Sequence, residues 1–226
     1  ILAGTEEMTT AIQRYKGLEQ AVLRIGGSNI PGIYMIPRFL PLYHALHPGV
    51  SVHVVQGDSH EILDRLNNNE IEIGFIGSMY SDDAVVFDQI TCDEIILVVD
   101  ANHPWKDTGE ISLEDLAGAS FVFREEGSGT QGTVVSALVN AGINPASLRV
   151  TARLGSNEAV KQAVCRGVGV SFLSELSVRN ECERRELFPV TVKGLAITRH
   201  FYCVHRRGRE LSPAGRSFLD RIVQWF

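Results

Sequence analysis

The chain has 226 residues, enough for one large or two small domains, and its 44% hydrophobic and 21% charged residues are typical of a globular core. A formal net charge of −6 argues against a basic nucleic-acid-binding surface spread over this chain. The four cysteines are too far apart for a zinc site, and no apolar run is long enough to span a membrane. Scattered cysteines are typical of a reducing cytoplasm, so we expect a cytoplasmic protein without a metal or cofactor.

The first residues predict a helix. Thr5 can cap it, and Met8, Ile12 and Tyr15 share one face at helical spacing. The chain begins partway into this pattern, so we expect a fragment of a longer protein. We interpret residues 1–20 as the end of a linker or dimerisation helix, with a frayed terminal helix as the alternative.

The next segment predicts strands that alternate with helices. The expected strands are residues 22–25, 50–55 and 71–76. Pro37 and Pro41 indicate that the first helix is kinked or starts late. Asp58, followed three residues later by Glu61, is a capping-box pattern at the start of the second helix. This order favours parallel strands with right-handed crossovers.

A second series of the same kind follows a long extended stretch at residues 85–99. The expected strands are residues 121–123, 148–152 and 170–173, with a glycine-rich turn and a helix after each of the first two. After a further strand at residues 201–204, Ser212 and Pro213 predict the start of a last helix. The repetition predicts a second α/β domain.

Four of the predicted strands end in small polar residues. These ends are Gly27-Ser28-Asn29, Gly77-Ser78, Gly127-Ser128-Gly129-Thr130 and Gly155-Ser156-Asn157. Helix N-termini leave N–H groups unpaired and favour a small anion, and ligands bind outside the carboxyl ends of parallel strands. Any one of these turns is more often an ordinary helix cap. Several of them in two matching series favour a cleft for a carboxylate, sulfate or phosphate-like group between two facing sheets.

Two candidate residues have alternative interpretations that the sequence leaves open. Arg124 can bind a carboxylate of the ligand, or it can form a salt bridge with Glu125 or Glu126. Asn157 can cap its helix, or it can face the ligand.

Signals for catalysis are weak. The chain has no GxSxG nucleophile elbow, and its seven histidines form no HExxH pair. No paired carboxylates stand at strand ends in an arrangement typical of acid–base chemistry. We therefore expect a binding protein, with an α/β enzyme such as a dehydratase as a rival hypothesis.

Three segments resemble the effector-binding region of LysR-type transcriptional regulators. They are residues 23–77, from LRIGGSNIPG to EIGFIG, residues 121–133, FVFREEGSGTQGT, and residues 154–174, LGSNEAVKQAVCRGVGVSFLS. The resemblance runs from about Leu18 to the end of the chain. Glu72 is a mild departure, because the family usually has Asp there.

The resemblance implies an α/β fold like that of type 2 periplasmic binding proteins, with two Rossmann-like subdomains and two crossover strands. We expect residues 21–99 with 206–226 to form regulatory subdomain I, and residues 100–205 to form subdomain II. A small effector that binds between the subdomains would alter dimer or tetramer geometry and so transcription. DNA would be bound only by an N-terminal winged helix-turn-helix outside this chain. The alternative is a solute-binding protein of a transport system.

The resemblance also implies which residues contact the effector. The expected contacts are Ser28, Asn29, Gly77, Ser78, Ser128, Gly129, Thr130, Gln131 and Asn157. Arg124 is added to this set because its positive charge can bind a carboxylate. The helices around residues 36–46 and 159–164 would pair across a head-to-tail dimer.

Overall fold

The computed structural model describes Leu18 and residues 20–222, and it divides the chain into two compact units. Unit 1 comprises the residues up to Thr91 together with those from Phe201 onward, and unit 2 is Cys92–His200. Two long strands therefore carry the chain from one unit into the other, as the resemblance implied. The linker helix predicted at residues 1–20 lies outside the described residues, apart from Leu18 and Gln20.

Within the described residues there are ten strands and six α-helices. The strands are β1 (Ala21–Ser28), β2 (Val50–Gly57), β3 (Ile73–Ile76), β4 (Val85–Asp100), β5 (Glu110–Ile111), β6 (Ser120–Arg124), β7 (Arg149–Leu154), β8 (Ser171–Ser174), β9 (Leu187–Val192) and β10 (Ile197–Arg206). The α-helices are α1 (Ile36–Leu46), α2 (Ser59–Asn67), α3 (Gly129–Asn140), α4 (Asn157–Cys165), α5 (Glu175–Glu183) and α6 (Pro213–Ile222).

The sheet of unit 1 confirms the predicted β-α-β-α-β order. β1 is central and pairs in parallel with β2 and with β3, and β10 pairs antiparallel with β3. Asp58 accepts hydrogen bonds from the backbone of His60 and Glu61, and the capping box at α2 is complete. A π-helical segment, Pro31–Met35, precedes α1, in agreement with the late start that the prolines predict.

The expected turn after β1 is wrong in one respect, because Gly26 and Gly27 belong to the strand. A Cβ on Gly27 would lie 2.5 Å from the Cα of Gly32, and a Cβ on Gly26 would lie 2.7 Å from the Cδ1 of Ile71. These glycines therefore permit close packing against the neighbouring segments and do not serve to reverse the chain. The strand ends at Ser28, and the helical conformation begins at Asn29.

Unit 2 contains the second predicted series. β4 pairs antiparallel with both β8 and β9, and β6 pairs in parallel with β7. The aromatic rings of Phe121, Phe123 and Phe172 are buried in its main core cluster. Helix α5 was not predicted from the sequence, and its buried positions include the polar residues Ser177 and Glu181. A helix that buries so few apolar side chains does not show an apolar face in the sequence.

Helix α6 is held on unit 1 by polar and aromatic contacts. Glu72 accepts hydrogen bonds from the backbone N–H of Ser212 (2.8 Å) and from its hydroxyl (3.1 Å). The same hydroxyl oxygen accepts from the Gly215 N–H at 3.0 Å, so Ser212 caps the helix as predicted. The Tyr43 ring packs edge-on against Phe218 at 4.9 Å. The side chain of Glu72, which is longer than that of the Asp usual in the family, thus anchors α6.

We expect Tyr43→Phe to lower the free energy of unfolding by about 1–2 kcal/mol. The Tyr43 hydroxyl is buried and donates to the Ala214 carbonyl at 2.9 Å, so the variant leaves that carbonyl without its partner. Burial, followed by the charge of Glu72, raises the pKa of Tyr43 to about 12, so the hydroxyl stays protonated as a donor. Urea denaturation measures the change. A variant as stable as the original protein would show that this hydrogen bond contributes nothing.

We expect unit 1 to lose stability as the pH falls below about 6.5. Burial, and then the positive charge of Arg221, lowers the pKa of His47, whose Nε2 lies 2.7 Å from the Ser217 hydroxyl oxygen. The contribution of neutral His47 is therefore complete above its usual pKa of 6.5 and is lost as the pH falls through the lower value of the folded protein.

His47→Gln tests this pH dependence. Denaturation midpoints at about pH 7.5 and pH 5 should differ less in His47→Gln than in the original protein. The control is His44→Gln, which changes an exposed histidine in the last turn of α1. Identical pH dependence in both variants would contradict the assignment to His47.

Candidate functional site

Two helices of unit 2 begin at the same end of a strand pair. β6 and β7 are parallel, and Arg124, the last residue of β6, lies opposite Leu154, the last residue of β7. α3 starts at Gly129 and α4 at Asn157, shortly after these strand ends. We call these strand ends and the first turns of α3 and α4 the carboxyl edge of unit 2. Both helix N-termini present partial positive charge there.

The turn before α3 forms as the glycine pattern predicts. Gly127 has φ of +93°, a conformation that L side chains rarely adopt. Ser128 is the N-cap, and its hydroxyl oxygen accepts from the Gln131 N–H at 3.4 Å. Ser128, Thr130 and Gln131 are all buried, although they are polar. Buried polar groups normally have hydrogen-bond partners, so the contacts of each of these side chains have to be identified.

Asn157 opens α4 and is fully buried. Of its two alternatives, capping the helix is not observed, because Ser156 is the N-cap and accepts from the Ala159 N–H at 3.1 Å. Neither the oxygen nor the nitrogen of the Asn157 side-chain amide has a hydrogen-bond partner in the protein. Burial of an unpartnered amide costs about 1–3 kcal/mol, so this arrangement needs an explanation.

Gln131 shows the same property in the first turn of α3. Its Oε1 accepts from the Arg124 N–H at 3.1 Å, which fixes the amide, but its Nε2 has no partner in the protein. The first turns of α3 and α4 therefore bury two unpartnered amide N–H₂ groups and one unpartnered amide oxygen. All three are hydrogen-bonding groups without a partner in the protein, at the carboxyl edge of unit 2.

Arg124 takes the salt-bridge alternative. Its guanidinium donates to both carboxylate oxygens of Glu125, at 2.9 and 2.5 Å, and also to the Gly155 carbonyl at 3.4 Å. Burial raises the pKa of the Glu125 carboxyl, but the hydrogen bond from Arg124, a backbone hydrogen bond and the positive charge of Arg124 together outweigh it, and the net pKa lies below its usual range. Arg124 thus joins the starts of the two helices, and a carboxylate already balances its charge.

A second buried guanidinium, which the sequence analysis did not identify, contacts Thr130. Arg199 donates to Asp93 Oδ2 from Nε at 2.9 Å and from Nη2 at 2.6 Å, and it donates from Nη1 to the Thr130 hydroxyl oxygen at 2.8 Å. The Ser174 hydroxyl donates to the other Asp93 oxygen at 3.0 Å. Burial lowers the pKa of Arg199, and the Asp93 carboxylate opposes that shift. Asp93 and Arg199 are 106 residues apart, so no local sequence pattern links them.

In unit 1, the predicted site residues stand at the ends of neighbouring parallel strands. Ser28 ends β1, and Gly77 and Ser78 follow β3, the strand beside it. Ser28 is buried, and the side-chain oxygen of Asn29 is buried without a hydrogen-bond partner in the protein. The structure therefore brings these four residues together within unit 1, and it brings the other six to the carboxyl edge of unit 2.

Two further features bear on the chemistry of the chain. Among the residues that the structure describes, no group of three or more His, Cys, Asp or Glu side chains is placed to hold a metal ion. In the same part of the chain, no helix is both long and apolar enough to cross a membrane.

Known proteins resemble this chain over nearly its full length. CmpR, an HTH-type transcriptional activator from Synechocystis sp. (strain PCC 6803), is 30% identical over 217 residues, covering 96% of this chain and 70% of CmpR. PhnC from Anaeromyxobacter dehalogenans, named as a phosphonates import ATP-binding protein, is 34% identical over 200 residues, covering 88% of this chain and 40% of PhnC.

A solved structure and a family profile point, like CmpR, to a transcriptional regulator. The regulatory domain of CcmR from Synechocystis PCC6803, in complex with 2-PG, superposes with a TM-score of 0.82 at 28% identity, covering 91% of this chain and 97% of that domain. The profile described as the LysR substrate binding domain matches residues 16–226. These findings support the regulator and not the transport alternative. The chain belongs to the LysR substrate binding domain family and is the effector-sensing domain of a LysR-type transcriptional regulator.

Proposed function

We propose that this domain senses a small anionic effector, which binds at the carboxyl edge of unit 2. The observation that carries the proposal is the set of buried, unpartnered amide atoms of Gln131 and Asn157 at two helix N-termini. A ligand that takes hydrogen bonds from these atoms would remove an energetic cost that the free protein bears. The protein is thus prepared for the effector before it binds.

Neutral donors and helix dipoles recognise the anion in this proposal. The guanidinium groups of Arg124 and Arg199 are already paired with Glu125 and Asp93, so neither has to supply the charge for the effector. The amide nitrogens of Gln131 and Asn157, together with backbone N–H groups of the first helical turns, donate to anionic oxygens instead. The Asn157 oxygen is an acceptor and favours an effector that also carries a donor.

The residues predicted in unit 1 extend the proposal. Ser28, Asn29, Gly77 and Ser78 line one end of its parallel strands, and Asn29 also buries an unpartnered oxygen. We propose that these residues of unit 1 also contact an effector, and that the two units correspond to regulatory subdomains I and II. An effector that interacts differently with two conformations of the domain shifts their populations.

Membership of the family supports a proposal for the response of the whole regulator. The shift between conformations changes the arrangement of a homodimer or homotetramer, and DNA is bound by a winged helix-turn-helix domain in the cytoplasm. Leu42 and Leu46 of α1 are about half exposed and offer an apolar surface for a second copy. The domain performs no catalysis in this proposal, because its chemistry consists of hydrogen bonds alone.

The solved complex of CcmR supplies the first probe for the effector. CcmR is a relative at 28% identity and was solved with 2-PG. Calorimetric titration of this domain with 2-PG, followed by a panel of small carboxylates and phosphates, tests the proposal. We expect at least one of these anions to bind saturably. If none of them binds, the proposal is contradicted.

We expect Asn157→Ala to weaken effector binding by about tenfold or more while the free domain keeps its stability to within about 1 kcal/mol. The Asn157 amide has no partner in the protein, so its removal breaks no internal hydrogen bond, and relief of its burial cost offsets the packing contacts that are lost. Titration with 2-PG and urea denaturation measure the two quantities.

Asn144→Ala is the matched control in the same unit. The Asn144 side chain is exposed and caps a short helical segment by accepting from the Ala146 N–H at 3.1 Å. It should lose about 1 kcal/mol of stability and keep its affinity for the effector, which is the opposite pattern. If Asn157→Ala destabilises the free domain and leaves affinity unchanged, Asn157 is a structural residue.

The contribution of unit 1 is tested separately. Asn29→Ala should weaken binding of 2-PG by roughly threefold to tenfold, because it removes one acceptor or water-mediated contact. Asn68→Ala changes an exposed asparagine of the same unit and serves as the control. Equal affinity in both variants would restrict the effector site to unit 2.

A further inference from the structure

The hydroxyl group of Thr130 has a fixed orientation in the first turn of α3. Its oxygen accepts a hydrogen bond from Arg199 Nη1 at 2.8 Å. A guanidinium can only donate, so the hydroxyl proton of Thr130 must point away from Arg199 towards another acceptor. Within the described part of the chain, no protein acceptor is found for this proton. Thr130 is buried beside Gln131, whose amide nitrogen also lacks a partner.

Thr133, one turn later in the same helix, shows what a threonine does without such a constraint. Its hydroxyl donates to the Gly129 carbonyl at 3.0 Å, which is the local bond that threonine commonly makes inside helices. Thr130 makes a long-range contact instead, with a residue 69 positions away. The contact makes the Thr130 oxygen an acceptor and leaves its O–H free to donate.

The guanidinium that orients Thr130 is itself held in place. Two of its nitrogens bind Oδ2 of Asp93, and Oδ1 of Asp93 accepts from Ser174, so that both carboxylate oxygens are used. The side chains of Arg199 and Asp93 are 6% and 1% exposed. A buried pair with this geometry does not adjust easily, and the third nitrogen therefore points at Thr130 in a defined direction.

We propose that Arg199 is a positioning residue for effector recognition, which acts through Thr130. Held by Asp93, it turns the Thr130 hydroxyl so that this group donates its proton to an anionic oxygen of the effector. The inference rests on the proposed function, because it assigns a task to a residue that does not itself touch the ligand. The contrasting role is structural, in which the pair only holds β4 and β10 to the core.

A double-mutant cycle on effector affinity distinguishes the two roles. The variants are Arg199→Lys, which keeps a positive charge beside Asp93 but cannot make the same fork of hydrogen bonds, Thr130→Val, which removes the hydroxyl, and the double variant. Each single variant should bind 2-PG about tenfold more weakly. The affinity of the double variant for 2-PG should lie within about threefold of that of Thr130→Val, because Arg199 acts through the hydroxyl.

The same cycle can overturn the inference. Additive losses, of about a hundredfold in the double variant, or unchanged affinity in Arg199→Lys, would show that Arg199 does not act through Thr130. Thr130→Ser keeps the hydroxyl and should bind 2-PG within about threefold of the original protein. Failure of serine to restore binding relative to valine would likewise contradict the role of the hydroxyl.

A second measurement applies even if Arg199→Lys fails to fold. The backbone resonance of Thr130 is followed by NMR in the original domain during titration with 2-PG and, separately, with inorganic phosphate. Its chemical shift should change as ligand is added and should reach a plateau at the same ligand concentration as the heat of binding. Binding of either probe without a response at Thr130 overturns the inference and leaves the proposed function standing. If neither probe nor any anion of the wider panel binds, the proposed function fails, and the inference falls with it.

Discussion

The parallel pairing of β6 with β7 is the constraint on which the candidate site depends. Because the two strands run in the same direction and end opposite each other, at Arg124 and Leu154, the helices that follow them begin at one edge. Two sets of unpaired backbone N–H groups and two positive dipole ends are thereby placed together. Residues as far apart in sequence as Gln131 and Asn157 then contribute amide groups to the same region, through Arg124, which contacts both Gln131 and Gly155.

Electrostatic balance explains why two guanidinium groups can be buried near this edge. Unpaired buried charges are costly, and each of the two guanidinium groups has a carboxylate partner at 2.5–2.6 Å. The remaining unsatisfied groups are neutral amides, whose burial costs less. Asp93 and Arg199 also stand on β4 and β10, the two strands that carry the chain from one unit into the other.

Most of the fold could be predicted from local sequence patterns, because each pattern has a local physical cause. Asp58 and Glu61 mark the start of α2 with their own hydrogen bonds, and the strand-turn-helix pattern around Gly127 reflects a backbone conformation that favours glycine. Where the prediction was wrong, tertiary packing decided the outcome. Gly26 and Gly27 stay in β1 because other segments pack closely against them.

In the candidate site too, short-range features could be predicted and long-range contacts could not. The polar turns were visible in the sequence, since caps and glycines are short-range signals, and so Ser128, Thr130 and Asn157 could be named in advance. The sequence left the roles of Arg124 and Asn157 open, because each depends on which neighbour the side chain reaches. Arg199 was missed because its partners Asp93 and Thr130 are distant along the chain, and only the folded structure brings them together.

Hydrogen–deuterium exchange with and without 2-PG shows whether the effector binds at the carboxyl edge of unit 2, because it reports on the backbone N–H groups of individual helical turns. Exchange should become slower on binding in the first turns of α3 and α4, at residues 129–131 and 157–159, with no change in the helical segment Glu114–Gly118 of the same unit. Saturable binding that protects neither of these first turns would contradict binding at that edge.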